Sequence, residues 1–306
     1  MRRLPPLEGL TLIFLGIILL LIIFFYSQLP QGLGLLARFI SLGLVALALS
    51  KVRKKWTRVR AIEILCNFSP IFFVIVIFER LGDLIPYLRH DVDALLIKLD
   101  LAIFGVHPTI WLERILYPPL TDLLSLAYAS YYFIPVLLIT ILYFWGKEEE
   151  FSLTIFTLLL GYYISFFGYI VMPAIGPRFT LACLQTAPLQ GGAITKFVIR
   201  ILDLLEHNKR DCFPSGHTQM VLISLWFAFR YRRPLFWIYL PIVIALVFST
   251  VYLRYHYVVD IAAGFAFAGG SLLAGPKLLR WWVRGEIDRS GRSCSSSPPM
   301  PLSPSA

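Results

Sequence analysis

The sequence predicts an all-α protein that crosses a membrane several times as a polytopic helical bundle of about eight spans. Of its 306 residues, 58% are hydrophobic and only 15% are charged, and the mean hydropathy is +0.74. So few charged residues would not cover the surface of a soluble domain of this size. Apolar runs close to the ~20 residues that cross a bilayer recur along the chain, and they predict the spans.

Eight apolar segments are predicted to be spans, and Arg38 interrupts the second. Their approximate bounds are 9–26, 33–50, 61–79, 121–145, 151–172, 214–231, 235–253 and 257–279. The first run is too long for the apolar core of a signal peptide, and no small-x-small cleavage pattern follows it. We therefore expect it to be the first span.

Clusters of basic residues predict the orientation. The strongest lies at 51–60, the next at 230–233, and a third flanks the last span at 280–292. When eight spans alternate, all three clusters fall on one side, which the positive-inside rule assigns to the cytoplasm. Both termini are then cytoplasmic. The net charge of +10 belongs to these loops and does not indicate nucleic-acid binding.

Two polar segments, 212–218 and 249–260, are predicted to meet on the extracytoplasmic side. Ionisable groups are costly in lipid, so their presence beside apolar spans indicates function. His256 and Asp260 stand four residues apart and would share a helix face. The Asp260 carboxylate is then expected to accept a proton from one ring nitrogen of His256 and to leave the other nitrogen unprotonated.

The Pro-Ser-Gly-His sequence at 214–217 is predicted to hold an anion. Proline is tolerated at a helix start, Gly216 allows a ligand to approach the backbone, and the free amides of a helix N-terminus favour negative charge. Ser215 adds a hydroxyl donor, although a simple helix cap is the alternative. His217 follows at a position suited to protonating a leaving oxygen.

Two arginines are candidate phosphate ligands. Arg178 closes the segment Pro-Ala-Ile-Gly-Pro-Arg on the same side of the membrane, and Arg254 lies two residues before His256. A guanidinium suits phosphate oxygens, although either arginine could instead reach lipid headgroups. With the two histidines they predict phosphoryl transfer through a phosphohistidine, in which His256 attacks phosphorus and His217 serves the leaving group.

These residues resemble the type 2 phosphatidic acid phosphatase superfamily, whose fold is shared with vanadium haloperoxidases and glucose-6-phosphatase. The family's second motif, Pro-Ser-Gly-His, is intact, and its third, Ser-Arg-x5-His-x3-Asp, is matched at Ser249, His256 and Asp260, with Thr250 in place of the arginine. The resemblance implies a six-helix catalytic core, His256 as the nucleophile and His217 as general acid and base. It also implies Ser215 and Gly216 as phosphate donors, and no metal cofactor. The domains predicted with it are two N-terminal spans with a basic loop (1–60), the core (61–283) and a disordered Ser/Pro-rich cytoplasmic tail (284–306).

The sequence is more similar to one branch of that superfamily, the inositol phosphorylceramide synthases and their bacterial relatives. Gly176-Pro177-Arg178 is the nearest equivalent of the first motif, Lys-x6-Arg-Pro, and the stretches 104–113 and 252–260 add to the likeness. This branch transfers a phospho-alcohol headgroup between lipids, whereas the wider superfamily mostly hydrolyses. The implied partners are a membrane phospholipid or lipid phosphate and an alcohol or ceramide acceptor.

Several alternatives stay open. His217, His256 and Asp260 could hold a metal ion or haem in a binding protein. Ser215 could serve an intramembrane serine protease, although Gly-x-Ser-x-Gly is missing. A Cys183–Cys212 disulfide is another possibility. The segment 91–104 reads as an amphipathic interfacial helix. The acids in this region are expected to be solvated loop charges: Asp91, Asp93, Asp100 and Glu113.

Overall fold

The architecture comes from a computed structural model, which describes residues 4–56, 59–205 and 207–294. All regular secondary structure in the described residues is helical and none of it is a strand, which confirms the predicted fold class. The α-helices are α1 Pro6–Phe24, α2 Gly32–Lys55, α3 Arg60–Leu81, α4 Asp93–Phe104, α5 Pro108–Trp111, α6 Pro118–Ala129, α7 Ile134–Trp145, α8 Glu148–Val171, α9 Pro177–Thr180, α10 Ala193–Leu205, α11 Gly216–Tyr231, α12 Arg233–Tyr252 and α13 Val258–Cys294. Short 3-10 turns join some of them at Tyr26–Gln28, Ile85–Tyr87, Leu112–Ile115, Ser130–Tyr132 and Ala182–Leu184.

Six described helices are long and apolar enough to cross a membrane, and two bent helix pairs raise the number to as many as eight. One bent pair, Pro118–Tyr132 with Ile134–Trp145, turns by 45° and occupies the predicted span 121–145. The other, Asp93–Phe104 with Pro108–Ile115, turns by 63° and includes the helix that the sequence predicts at the interface. The predicted span 214–231 is α11, which has only 16 residues. The upper count of eight spans therefore agrees with the predicted number. The sets differ, because the structure counts the bent pair at 93–115 and leaves out α11.

Helix α8 is the central helix of the bundle and packs against α1, α3, α7, α11 and α13. Of its most apolar 18-residue window, 78% is buried inside the protein, a larger share than for the other candidate spans. A helix enclosed on all sides carries no charge on any face, and residues 154–160 of α8 are all buried and uncharged. The two threonines in this run donate their hydroxyls to the backbone carbonyls of Glu150 and Leu153. Gly168 lets the Pro214 ring approach α8 closely, since an added Cβ would overlap that ring. The central helix thus supports the Pro-Ser-Gly-His turn.

The expectation that the acids of the α4–α5 region are solvated is wrong for three of the four. Asp93 and Asp100 are buried, and the Glu113 side chain is only 8% exposed and pairs with Arg254. Asp100 accepts hydrogen bonds from the backbone N–H groups of Val258 and Val259, both at 2.9 Å, and so caps the start of α13. The partners lie about 160 residues away in the sequence, so local sequence patterns did not reveal them.

Helix α13 extends to Cys294, beyond the start of the predicted tail at 284. Residues 295–306, which hold most of the Ser/Pro-rich sequence, lie outside the described residues. Disorder of that segment stays a prediction.

Candidate active site

The two polar segments predicted to meet do meet. His217 lies in the first turn of α11, and His256 lies in the turn that precedes α13. Nε2 of His256 is 3.4 Å from Nδ1 of His217, and both side chains are buried. The two imidazoles therefore form one unit, although they are separated by 39 positions in the sequence.

The backbone of Cys212 fixes the protonation of His256. Nδ1 of His256 lies 2.8 Å from the carbonyl oxygen of Cys212. A carbonyl can only accept a hydrogen bond, so Nδ1 must carry the proton and donate it. In the neutral ring, Nε2 then holds a lone pair, and it faces His217. This is the tautomer that a nucleophilic histidine needs.

The expected hydrogen bond between Asp260 and His256 is replaced by an indirect connection. Oδ2 of Asp260 is 3.6 Å from Nδ1 of His256, which is too long for a hydrogen bond. It accepts instead from the backbone N–H of Tyr257 at 2.8 Å and from the thiol of Cys212 at 2.9 Å. The prediction failed because α13 begins at Val258, so His256 does not share a helix face with Asp260. Asp260 holds Cys212, whose carbonyl holds His256.

Ser215 and Gly216 have clear structural roles at the start of α11. The Ser215 hydroxyl accepts from the Thr218 N–H at 3.3 Å and donates to the Thr218 hydroxyl at 3.0 Å, which is the helix-cap arrangement. An added Cβ at Gly216 would overlap the Tyr169 hydroxyl. Phosphate binding by Ser215 and Gly216 therefore stays a prediction. The Ser215 hydroxyl bonds to Thr218 and not to a histidine, so it is not paired as the nucleophile of a serine protease would be.

Arg178 lies where the sequence places it, beside the histidines. It lines a polar cavity together with His256, Lys209 and Asp211. Its guanidinium is partly exposed, lies 3.5 Å from the Tyr255 hydroxyl and forms an ion pair at 3.6 Å with the exposed Asp203. The side chain is thus accessible to an anion that enters next to His256.

Arg254 does not line the cavity that contains His256, although it lines another cavity together with Arg178. Its side chain is 4% exposed and pairs with Glu113 at 2.9 Å. It also donates to the side-chain oxygen of Gln185 at 2.6 Å and to the carbonyl oxygen of Ala187 at 2.7 Å. Its backbone φ is +67°, in the left-handed region that a non-glycine residue adopts only when its surroundings hold it there. These contacts fit a structural clamp better than a phosphate ligand.

His217 has aromatic neighbours on two sides. The centroids of Tyr128 and Tyr131 lie 4.6 and 4.2 Å from the centroid of its imidazole. Its Nε2 is buried and has no hydrogen-bond partner. A buried polar atom without a partner is costly, so this nitrogen is suited to meet a ligand. Sequence reasoning missed the two tyrosines because Tyr128 belongs to α6 and Tyr131 to the 3-10 turn that follows it, both far from His217 in the sequence.

Asp211 is a site residue that sequence reasoning missed. It lines the polar cavity with His256 and also a second cavity with His217. Burial raises the pKa of its carboxyl group to about 6, against an opposing effect of the nearby His256. A signal was available in its position directly before Cys-Phe-Pro-Ser-Gly-His.

Cys212 and Cys183 are both free thiols, Cys212 buried and Cys183 exposed, so the structure contains no disulfide between them. Among the described residues, one group has donor atoms spaced for a metal ion: Cys212, His256 and Asp260, within 4.8 Å of one another. The Cys212 thiol donates to Asp260, and His256 donates Nδ1–H to a carbonyl. These protonated donors are satisfied within the protein. A metal would need to displace their protons.

A family model of the PAP2 superfamily matches residues 95–274, which is more than half of the chain and includes both histidines. Comparison with curated proteins found no match, and comparison with solved structures found none either. The match agrees with the helical membrane bundle and with the motifs at its centre. The chain belongs to the PAP2 superfamily.

Proposed function

We propose that this protein is an integral-membrane enzyme that cleaves a lipid phosphoester or phosphodiester through a phosphohistidine on His256. The observation that carries the proposal is the contact between Nε2 of His256 and Nδ1 of His217 at 3.4 Å, with the opposite nitrogen of His256 held by the Cys212 carbonyl. This arrangement leaves a lone pair on the attacking nitrogen and puts a proton-carrying ring beside it.

The first half-reaction transfers the phosphoryl group to the enzyme. Nε2 of His256 attacks phosphorus, a P–N bond forms, and the P–O bond to the lipid alcohol breaks. His217 acts as the imidazolium, with a second proton on the Nε2 that has no partner within the protein. It gives this proton to the departing oxygen and becomes neutral, and the oxygen leaves as the neutral alcohol. Arg178 and Lys209, both on the cavity that contains His256, face the side from which the phosphate oxygens would come and would stabilise their charge.

The second half-reaction reverses these roles. His217, now without that proton, takes one from water or from an alcohol, and the resulting oxygen attacks phosphorus. The P–N bond breaks and His256 returns to its starting state. Water gives hydrolysis, and an alcohol gives transfer to a new lipid.

Transfer to an alcohol such as ceramide, as in the inositol phosphorylceramide synthase-like branch, is the finer part of the proposal. Its support is Thr250, which stands where hydrolytic relatives are expected to carry arginine. Thr250 is fully buried, and its carbonyl accepts from the backbone N–H groups of Tyr255 and His256 at 2.9 and 3.0 Å. A longer side chain at this fully buried position would have to displace its neighbours, and Arg178 is the arginine that lines the cavity with His256 and would bind phosphate in its place.

The site is proposed to face away from the cytoplasm. His217 begins α11, whereas the basic residues Arg230 to Arg233 follow its other end. His256 precedes α13, whose far end carries another basic stretch beginning at Arg280. Basic clusters favour the cytoplasmic side, so the histidines at the opposite helix ends lie on the other side.

The proposal is tested with purified enzyme, phosphatidic acid or phosphatidylinositol as donor, and ceramide present or absent, with lipid products identified by mass spectrometry. His217→Ala is expected to lower kcat by about 10²- to 10⁴-fold, the usual contribution of a general acid or base. His256→Ala is expected to abolish turnover. The matched control is His90→Ala, since His90 is exposed and lies outside the cavities around the histidine pair. Near-normal turnover by the His256 variant would overturn the covalent mechanism.

A further inference from the structure

A cavity of about 200 Å³ is lined by His217 and does not include Arg178. Its polar groups gather at one end, where His217 lies with Asp211 and Glu79. The rest of the wall consists of apolar and aromatic side chains from α3, the turn before α7, and α8: Val74, Ile75, Phe78, Tyr131, Tyr132, Tyr162, Phe166 and Tyr169. The cavity therefore changes from charged to apolar with distance from the catalytic pair.

This cavity continues into a second, smaller one. The two share five wall residues, Val74, Ile75, Tyr131, Tyr132 and Tyr162. The second is lined further by Pro70, Ile71, Pro135, Val136, Ile139, Ile155, Leu158 and Leu159, and no charged side chain lines it. Helix α8 packs against both α3 and α7 and forms the floor between them. We call the combined space the α3–α7 groove.

The groove has the depth of one membrane leaflet. Along α3 its wall runs from Glu79 to Pro70, roughly 14 Å at the ~1.5 Å rise of an α-helix. That length is about half of the ~30 Å hydrocarbon core of a bilayer. Ile75 and Val136 line the groove and are 56% and 37% exposed, so its edge opens on the apolar outer surface of the bundle.

We propose that the α3–α7 groove binds one hydrocarbon tail of the substrate while the phosphate lies at the histidine pair. This inference rests on the proposed function and adds that the substrate enters sideways from the bilayer with its tail still in the membrane. A tail fits because the inner part of the groove has no charged group to meet a polar ligand. A peptide segment would leave its backbone groups unpaired there.

The continuity with His217 selects the substrate's own tail over an unrelated membrane lipid. A lipid whose phosphate is attacked by His256 must place its alcohol oxygen near His217, which protonates it. The tail attached to that oxygen then begins at the charged end of the groove and follows its wall. The groove thus gives selectivity for lipid alcohols over soluble phosphate esters.

A kinetic experiment tests tail binding in the α3–α7 groove with a variant in which a larger side chain fills the groove. Ile71→Trp places an indole in the inner part, away from the histidines, whereas Phe72→Trp changes the neighbouring residue, which is 51% exposed and lines neither cavity. The measured quantity is the ratio of kcat/KM for dioleoyl phosphatidic acid over dibutyryl phosphatidic acid. We expect Ile71→Trp to lower this ratio by about tenfold or more, in line with the cost of lost fit in an apolar pocket. The Phe72 variant should keep the wild-type ratio. An equal ratio in the Ile71 variant and wild type overturns the inference.

A binding experiment separates the inference from the proposed chemistry. Phosphatidic acid with a photoactivatable diazirine in its acyl tail is irradiated with the His256→Ala protein in vesicles, and labelled peptides are mapped by mass spectrometry. Labels on the α3 and α7 segments that line the groove support the inference even if wild-type enzyme releases no product, a result that would defeat only the proposed function. Labels confined to other helices overturn it.

Discussion

Asp93 is predicted to be a main support of the active site, and Asp93→Asn tests this. Oδ1 of Asp93 accepts from the Gly176 N–H and from the Tyr257 hydroxyl, both at 2.9 Å, and Oδ2 accepts from the Ile175 N–H at 3.0 Å. One carboxylate thereby connects the turn that carries Arg178 to the residue that follows His256. Gly176 has φ of +88°, so this turn needs both a glycine and an external brace.

The expected loss of stability in Asp93→Asn follows from the number of hydrogen bonds that the Asp93 carboxylate accepts. Asparagine keeps one oxygen, so at best it retains the two bonds of Oδ1 and places an NH2 group against the Ile175 N–H. Losing one bond to a charged, buried acceptor costs about 1.5–3 kcal/mol. A loss of this size lowers the apparent melting temperature by at least about 3 °C. If it also loosens the site, kcat/KM falls by about tenfold or more.

Asp91→Asn is the matched control, because Asp91 lies two residues earlier and also accepts hydrogen bonds. It pairs with Arg210 at 2.6 and 3.0 Å, but both side chains remain partly exposed. Ion pairs of this kind contribute about 0–1 kcal/mol. Thermal unfolding in detergent and lipid turnover should therefore change much less than in the Asp93 variant. Equal effects of the two substitutions would refute the assignment of Asp93 as a brace.

The remaining predictions concern the polar cavity. Arg178→Ala should lower kcat/KM by about tenfold or more, with partial recovery in Arg178→Lys, because a charge-assisted contact to phosphate is lost; unchanged kinetics would assign Arg178 to the membrane surface. Since the pKa of Asp211 is about 6, its carboxyl group gains negative charge as the pH rises through that value and then repels phosphate. The kcat/KM of Asp211→Asn relative to wild type should therefore increase from about pH 5 to about pH 7, and a flat ratio would contradict this role. Incubation with EDTA should leave turnover intact, whereas loss of activity with release of a bound ion would favour metal binding by Cys212, His256 and Asp260.

The fold class and the meeting of the histidines could be predicted because both depend on strong local signals. Long apolar runs are set by the thickness of the bilayer, and charged or polar residues beside them are rare enough to stand out. The Pro-Ser-Gly-His turn is likewise local, since Ser215 caps the helix that His217 begins.

The supports of the site could not be predicted, because their partners are distant in the sequence. Asp93 and Asp100 look like ordinary charges in an apolar stretch, and only folding brings them to the backbone N–H groups of Gly176 and Val258. The predicted hydrogen-bond partner of Asp260 is wrong because the sequence does not define the start of α13 to within one turn. Helix boundaries are the least certain part of a sequence-based prediction, and here a shift of two residues moved the hydrogen bond from His256 to the Tyr257 N–H.

Arg254 is a second residue whose partners could not be predicted from the sequence. Its position two residues before His256 suggests a phosphate ligand, but the left-handed backbone at Arg254 turns the side chain towards Glu113. Neither the turn nor the buried acid is visible in the local sequence. Arg178, in contrast, follows a Gly-Pro pair that already indicates a turn at the end of a span.

A phosphohistidine on His256 can be tested by trapping the covalent intermediate. Wild-type enzyme is mixed with a lipid phosphate that carries radiolabelled phosphorus, quenched within milliseconds under alkaline conditions, and digested for peptide mapping. We expect an acid-labile, alkali-stable label on the peptide that contains His256, and no such label in the His256→Ala protein. Turnover without any labelled peptide, or a label on a different residue, would contradict it.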